Sequence, residues 1–168
     1  MTLTAYQVAR RRIGTRERAG DRDDPFITWC LSLVGYPDAH DEVPWCAAFV
    51  AGIAELLGLS RSRSAAARSW LTVGLPVRFE DARVGEDIVV LARGSNPAAG
   101  HVGFFAGFNE DETRVRVLGG NQGDAVSVAD FPTRDVLGIR RLVSEAVDAP
   151  VRAAATGTGE TSSRPAIA

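Results

Sequence analysis

The chain has 168 residues, a formal net charge of -2, 45% apolar and 24% charged side chains. That is one globular domain's worth of sequence, long enough to bury a single core. The charge balance excludes the basic footprint of a nucleic-acid binder, and no apolar run reaches the ~20 residues a membrane-spanning helix requires.

The opening MTLTAYQVARRRIG has no uninterrupted apolar stretch followed by small residues at a cleavage point. It does not read as a signal peptide, so the expectation is synthesis in the cytoplasm, with release or delivery if the protein acts outside. AYQVARRRIG predicts a first helix with Tyr6, Ala9 and Ile13 on one face. DDPFITWCLSLVG predicts a second, with Asp24 as N-cap, Pro25 at the first helical position and Gly35 as the stop. Its expected buried stripe is Phe26, Trp29, Cys30, Leu33 and Val34. A third helix, from about Trp45 to Leu57, is apolar nearly all round, as a central buried helix should be. A short fourth begins near Ser64 and includes Ala65 to Leu71.

The second half predicts strands. EDIVVLAR, HVGFFAGF, TRVRVLGG, AVSVADF and VLGIRRLV are short, rich in β-branched or aromatic residues, and separated by Gly, Pro, Asn and Asp. Helices followed by antiparallel strands indicate an α+β domain over residues 1–145. Residues 146–168 are small and aperiodic, and are expected to form a flexible tail.

Two cysteines do not make a disulfide framework. Cys30 falls mid-helix on an apolar stripe and reads as structural. Cys46 differs, because Pro44 places it in the first turn of the third helix, where free N–H groups and the helix dipole favour a thiolate. A nucleophilic thiol needs a base. Of the two histidines, His40 lies in the polar loop PDAHDEV, whereas His101 opens the strand HVGFFAGF, near a sheet end that a helix mouth can meet. The turn NEDE makes that strand and TRVRVLGGN an antiparallel hairpin. Pairing across it sets His101 opposite Gly120 or Asn121, and in either register the Asn121 amide is within reach to hold the imidazole tautomer.

Taken in order, DEVPWCAAFV, SAAARSWL, DIVVLARG, GHVGFF and LGGNQGDAV resemble a bacterial and phage group of cell-wall hydrolases in the papain-like NlpC/CHAP superfamily (cysteine, histidine-dependent amidohydrolases/peptidases). The resemblance runs from about Ile13 to Arg141. It implies a Cys-bearing helix packed on an antiparallel sheet of about five or six strands, with Cys46 as nucleophile, His101 as base and Asn121 as the polar third residue. It also implies peptidoglycan as substrate, cut at an amide within the stem peptide or crossbridge or at the sugar–peptide amide, by a monomer without cofactor. Trp45 and Trp70 are candidate walls of the groove, Arg68 a candidate partner for a stem-peptide carboxylate, and Glu42 of the acidic turn a further substrate contact. Many members carry an acidic residue two places before the Asn, where this chain has Gly119, so Asn121 is alternatively an oxyanion or positioning group. Some relatives bind calcium just upstream of the Cys. The loop Asp38–Glu42 is short for the six or so oxygen ligands such a site needs, and no metal is expected. Other readings of the same residues are a cysteine acyltransferase and a catalytically silent wall-binding or phage-structural module.

Overall fold

The computed structural model describes residues 3–20 and 22–147. Helix α1 (Ala5–Arg10) starts with Thr4, whose hydroxyl accepts from Gln7 N–H while the Gln7 side chain returns to Thr4 N–H. This reciprocal capping satisfies two orphan donors. The helix ends at Arg10, short of expectation, and the turns that follow leave Ile13 exposed. Helix α2 (Pro25–Ser32) follows the predicted start, with Asp24 Oδ1 accepting from Phe26 N–H and Ile27 N–H. Its buried stripe is Ile27, Cys30, Leu31 and Val34, one position round from the expected one. Phe26, Trp29 and Leu33 are only half-buried, because a helix apolar on most faces leaves its inward face undetermined by periodicity.

Helix α3 (Cys46–Leu56) is the central element, buried continuously from Cys46 to Ala54. Gly52 in its interior is explained by α2. A Cβ there would stand 2.4 Å from Cys30 Sγ, so the helices close to a distance only glycine allows. The expected fourth helix is a 3₁₀ segment, Ala67–Thr72.

The strands form one antiparallel sheet of six in the order β1-β6-β2-β3-β4-β5. They are β1 (Leu75–Val77), β2 (Asp87–Ala92), β3 (Gly100–Phe108), β4 (Arg114–Gly119), β5 (Ser127–Pro132) and β6 (Val136–Arg141). Strand β1 had no sequence signal, being a three-residue edge strand containing Pro76. Alternate residues separate the faces. Ile88, Val90, Val102 and Phe104 meet the helices, while Val89, Leu91, Phe105, Val117 and Ile139 form a second cluster on the opposite face. At the foot of β2 the buried carboxylate of Asp87 receives a two-pronged bond from Arg141, at 2.8 and 3.0 Å.

Two long-range ladders close the domain. Gly14 N–H donates to Val126 O, Val126 N–H to Thr15 O, and Glu17 N–H to Asp124 O, so residues 14–17 strap the loop after β4. Near the other end, Ser60 N–H donates to Val143 O and Glu145 N–H to Gly58 O. Residues 145–147 are helical, and the remainder of the expected tail lies outside the described residues.

The α2–α3 contact yields a stability prediction. Gly52→Ala should cost about 2 kcal/mol, the usual scale for overfilling a packed core, and lower the Tm by several degrees. Adding Cys30→Ala should restore part of that loss. A Gly52→Ala protein that melts with the parent would show that the helices are not in contact there.

Candidate active site

Cys46 is the first residue of α3 and is 8% exposed. Trp45 occupies the N-cap position and supplies no side-chain cap, so the first-turn N–H groups are left for another acceptor. Burial pushes the Cys46 thiol up from its ordinary value of 9.0, while the N–H groups of Val102 and Ala47 and the charge of Arg93 pull the other way. The Cys30 thiol, wholly buried, is pushed up to about 12, again by burial.

His101, in β3, pairs across the sheet with Leu91 of β2 and is 5% exposed. Its ring lies against Phe131 of β5, with centroids 5.2 Å apart. Burial lowers its pKa from 6.5; Gln122 opposes that shift and Arg93 adds to it. Cys46 and His101 line one cleft of about 160 Å³ with Pro44, Ala65–Ala67, Arg93, Ala98, Gly100 and Asn121. On the other side of His101 is a larger cavity of about 440 Å³, bounded by Arg93, Asn121, Gln122, Ser127, Phe131 and Asp135 among others. Arg93, His101 and Asn121 border both, so the cavities adjoin around the end of the sheet.

The hydrogen-bond partner of the imidazole differs from the expected one. His101 Nε2 is 2.9 Å from Gln122 Oε1, and no bond joins His101 to Asn121. The end of the strand explains the change. Phe104 pairs with Leu118 and Phe105 with Val117, after which a bulge shifts the register toward Phe108. Continued, that register would set His101 opposite Asn121, but the last pair is Phe104 with Leu118, β4 ends at Gly119, and Asn121 turns into the left-handed region at φ 56°. That turn brings the next side chain back over the strand. Gln122 Nε2 donates to Ser127 O at 2.7 Å and also lies 3.4 Å from Val117 O. Carbonyls accept only from the amide nitrogen, so the oxygen end must face the ring. The ring nitrogen opposite it, Nε2, therefore carries the hydrogen in the neutral ring, and Nδ1 does not.

Gly119 makes this possible. A Cβ there would stand 3.0 Å from His101 Nε2 and 2.8 Å from Gln122 Oε1. An acidic side chain at this position would enter the space that the Gln122 amide fills. Gly120 has its own constraint, since a Cβ would fall 2.4 Å from the Trp45 ring.

None of the expected substrate contacts lines either cavity. Trp45 and Trp70 are fully buried, which removes both as groove walls. Trp45 Nε1 donates to Glu17 Oε1 at 2.7 Å, tying the helix mouth to the 14–17 strap. Burial raises the Glu17 pKa against that bond. Arg68 Nε donates to Ala99 O, so this side chain braces the loop ahead of β3. Glu42 is exposed in the preceding turn. In the acidic loop, Asp41 is fully buried and accepts from the N–H groups of Arg18 and Asp24, a role in loop closure. His40 meets Asp23 at 3.1 Å. Among the described residues no group of three or more His, Cys, Asp or Glu side chains is arranged to hold a metal ion.

Two residues at this site were missed from sequence. Gln122 sat beside Asn121 in GGNQGD, and the glycine at 119 was the available sign that another side chain fills that space. Arg93 read as the end of a strand and gave no signal of its own.

No curated protein matches the chain. The CHAP domain family matches over residues 38–121, half of the chain, from the loop before α3 through Asn121. CHAP domains are in general hydrolases or amidases that act on peptidoglycan. With a cysteine at the mouth of a buried helix and a histidine opening a strand of an antiparallel sheet, the chain belongs to the CHAP domain family.

Proposed function

We propose that this protein hydrolyses an amide bond in the peptide part of peptidoglycan, with Cys46 as nucleophile, His101 as general base and Gln122 holding the imidazole. The observation that supports this reading is that Cys46 and His101 line one cleft while a clamped Gln122 amide engages Nε2 of the imidazole and leaves Nδ1 without a hydrogen. Nδ1 takes the proton from Sγ as the sulfur attacks the amide carbonyl. The first-turn N–H groups of α3 stabilise the oxyanion, and Asn121, bordering the same cleft, helps position the carbonyl. The imidazolium gives its proton to the departing amine, and water then releases the acyl group from sulfur by the reverse sequence.

Burial raises the Cys46 pKa and lowers that of His101, which favours a neutral thiol and a neutral imidazole at rest. His101 becomes protonated only below its depressed value. The acid limb of kcat/KM should therefore lie below pH 6.5, and the basic limb, set by the thiol, above 9.0. An acid limb well above pH 6.5 on a soluble wall fragment would contradict the neutral pair.

With the whole protein, iodoacetamide should alkylate Cys46 first and stop turnover, leaving Cys30 unmodified until the chain unfolds. Labelling of Cys30 with activity retained would remove Cys46 as the nucleophile. Release of new amino groups from purified sacculi tests the hydrolase reading itself, and product masses then locate the bond.

Gln122→Ala should lower the rate about 100-fold, roughly 2.7 kcal/mol. Nitrogen NMR of the imidazole should find the Nε2–H tautomer in the parent and in Asn121→Ala, and a mixture in Gln122→Ala. An unchanged tautomer in Gln122→Ala would mean that this glutamine does not orient the ring.

A further inference from the structure

Of the residues bordering both cavities, Arg93 alone carries a permanent charge. It follows the last residue of β2 and is exposed. Among the described residues it has no carboxylate at ion-pair distance, unlike Arg141 on Asp87 or Arg116 on Asp130. The other charged wall of the larger cavity, Asp135, lies 3.9 Å from Arg134 Nε and is already matched. An exposed arginine holding no other element has no packing reason to be here, and its charge reaches both Cys46 and His101. The combined space thus presents one unmatched cation beside the thiol.

We propose that Arg93 is a carboxylate anchor, taking a free carboxylate on the substrate residue next to the amide that Cys46 attacks. Guanidinium and carboxylate match as a two-pronged, charge-assisted pair, and a cavity of about 440 Å³ has room for the residue that bears it. The substrate class is then wall peptides with that carboxylate free, and their amidated counterparts are poor substrates. This rests on the hydrolase reading above, so the test has an arm that needs no turnover.

That arm compares alkylation of Cys46 by iodoacetate and by iodoacetamide, which share an electrophilic carbon and differ in charge. Relative to 2-mercaptoethanol, the parent should favour iodoacetate about tenfold, less so in high salt. Arg93→Gln should lose the preference and Arg93→Lys should keep part of it. The second arm measures kcat/KM on synthetic wall peptides bearing either the free acid or the carboxamide. The parent should favour the acid about tenfold, chiefly through KM, and Arg93→Gln should not distinguish them. Equal iodoacetate and iodoacetamide ratios in parent and Arg93→Gln, with acid and amide peptides cut alike, would overturn the anchor and leave the hydrolase intact. An iodoacetate preference that depends on Arg93, with no peptide or sacculus cut, would support the anion site and overturn the hydrolase reading.

Discussion

The burial of α3 is the constraint on which the rest of this domain depends. A helix apolar on every side must be enclosed, so α1 and α2 cover it from outside and β3 and β4 receive it within. Enclosure has a chemical consequence at its first residue. Cys46 is carried out of water with the helix, and desolvation then outweighs the helix dipole and the neighbouring N–H groups in setting its proton affinity. The helix mouth alone suggests a thiolate. The packing favours the protonated thiol.

The His101 ring is held by a short chain of backbone commitments. Gln122 can present its oxygen to His101 only because its nitrogen is occupied by the carbonyls beyond it. Those carbonyls belong to β4 and β5, and the turn between these strands is fixed by the 14–17 strap. The strap in turn meets the helix mouth through Glu17 and Trp45. The tryptophan next to Cys46 thus acts on the site from underneath, as a floor for Gly120 and a donor to Glu17, without facing the cleft.

Much of this was legible in the sequence, for identifiable reasons. Asp24 and Pro25 announce α2 because capping is local chemistry. Cys46 and His101 were legible because a helix mouth and a strand start are positions that sequence can mark. The amide on the imidazole was not, since β4 ends before Asn121 can pair and a left-handed turn there presents Gln122 instead. Trp45 and Trp70 misled because large aromatics fit a groove or a core equally well by composition, and only the enclosing elements decide between them. Arg93 was invisible for the opposite reason. The proposal for it rests on the absence of a neighbouring carboxylate among the described residues, which only three-dimensional placement can reveal.

The sheet order carries a consequence for how the protein is made. β2 lies between β3, its neighbour in sequence, and β6, the last strand. During synthesis the edge of β2 that β6 will occupy stays open until residues 136–141 leave the ribosome, and an apolar strand with an open edge invites pairing with other chains. The loop after β4 faces a similar delay, because its strap joins Arg16 to Ala125 over a long stretch of sequence. Cys46, His101 and Gln122 therefore come together only after Ala125 has been made, and a shorter nascent chain carries the cysteine without the strapped loop beside it.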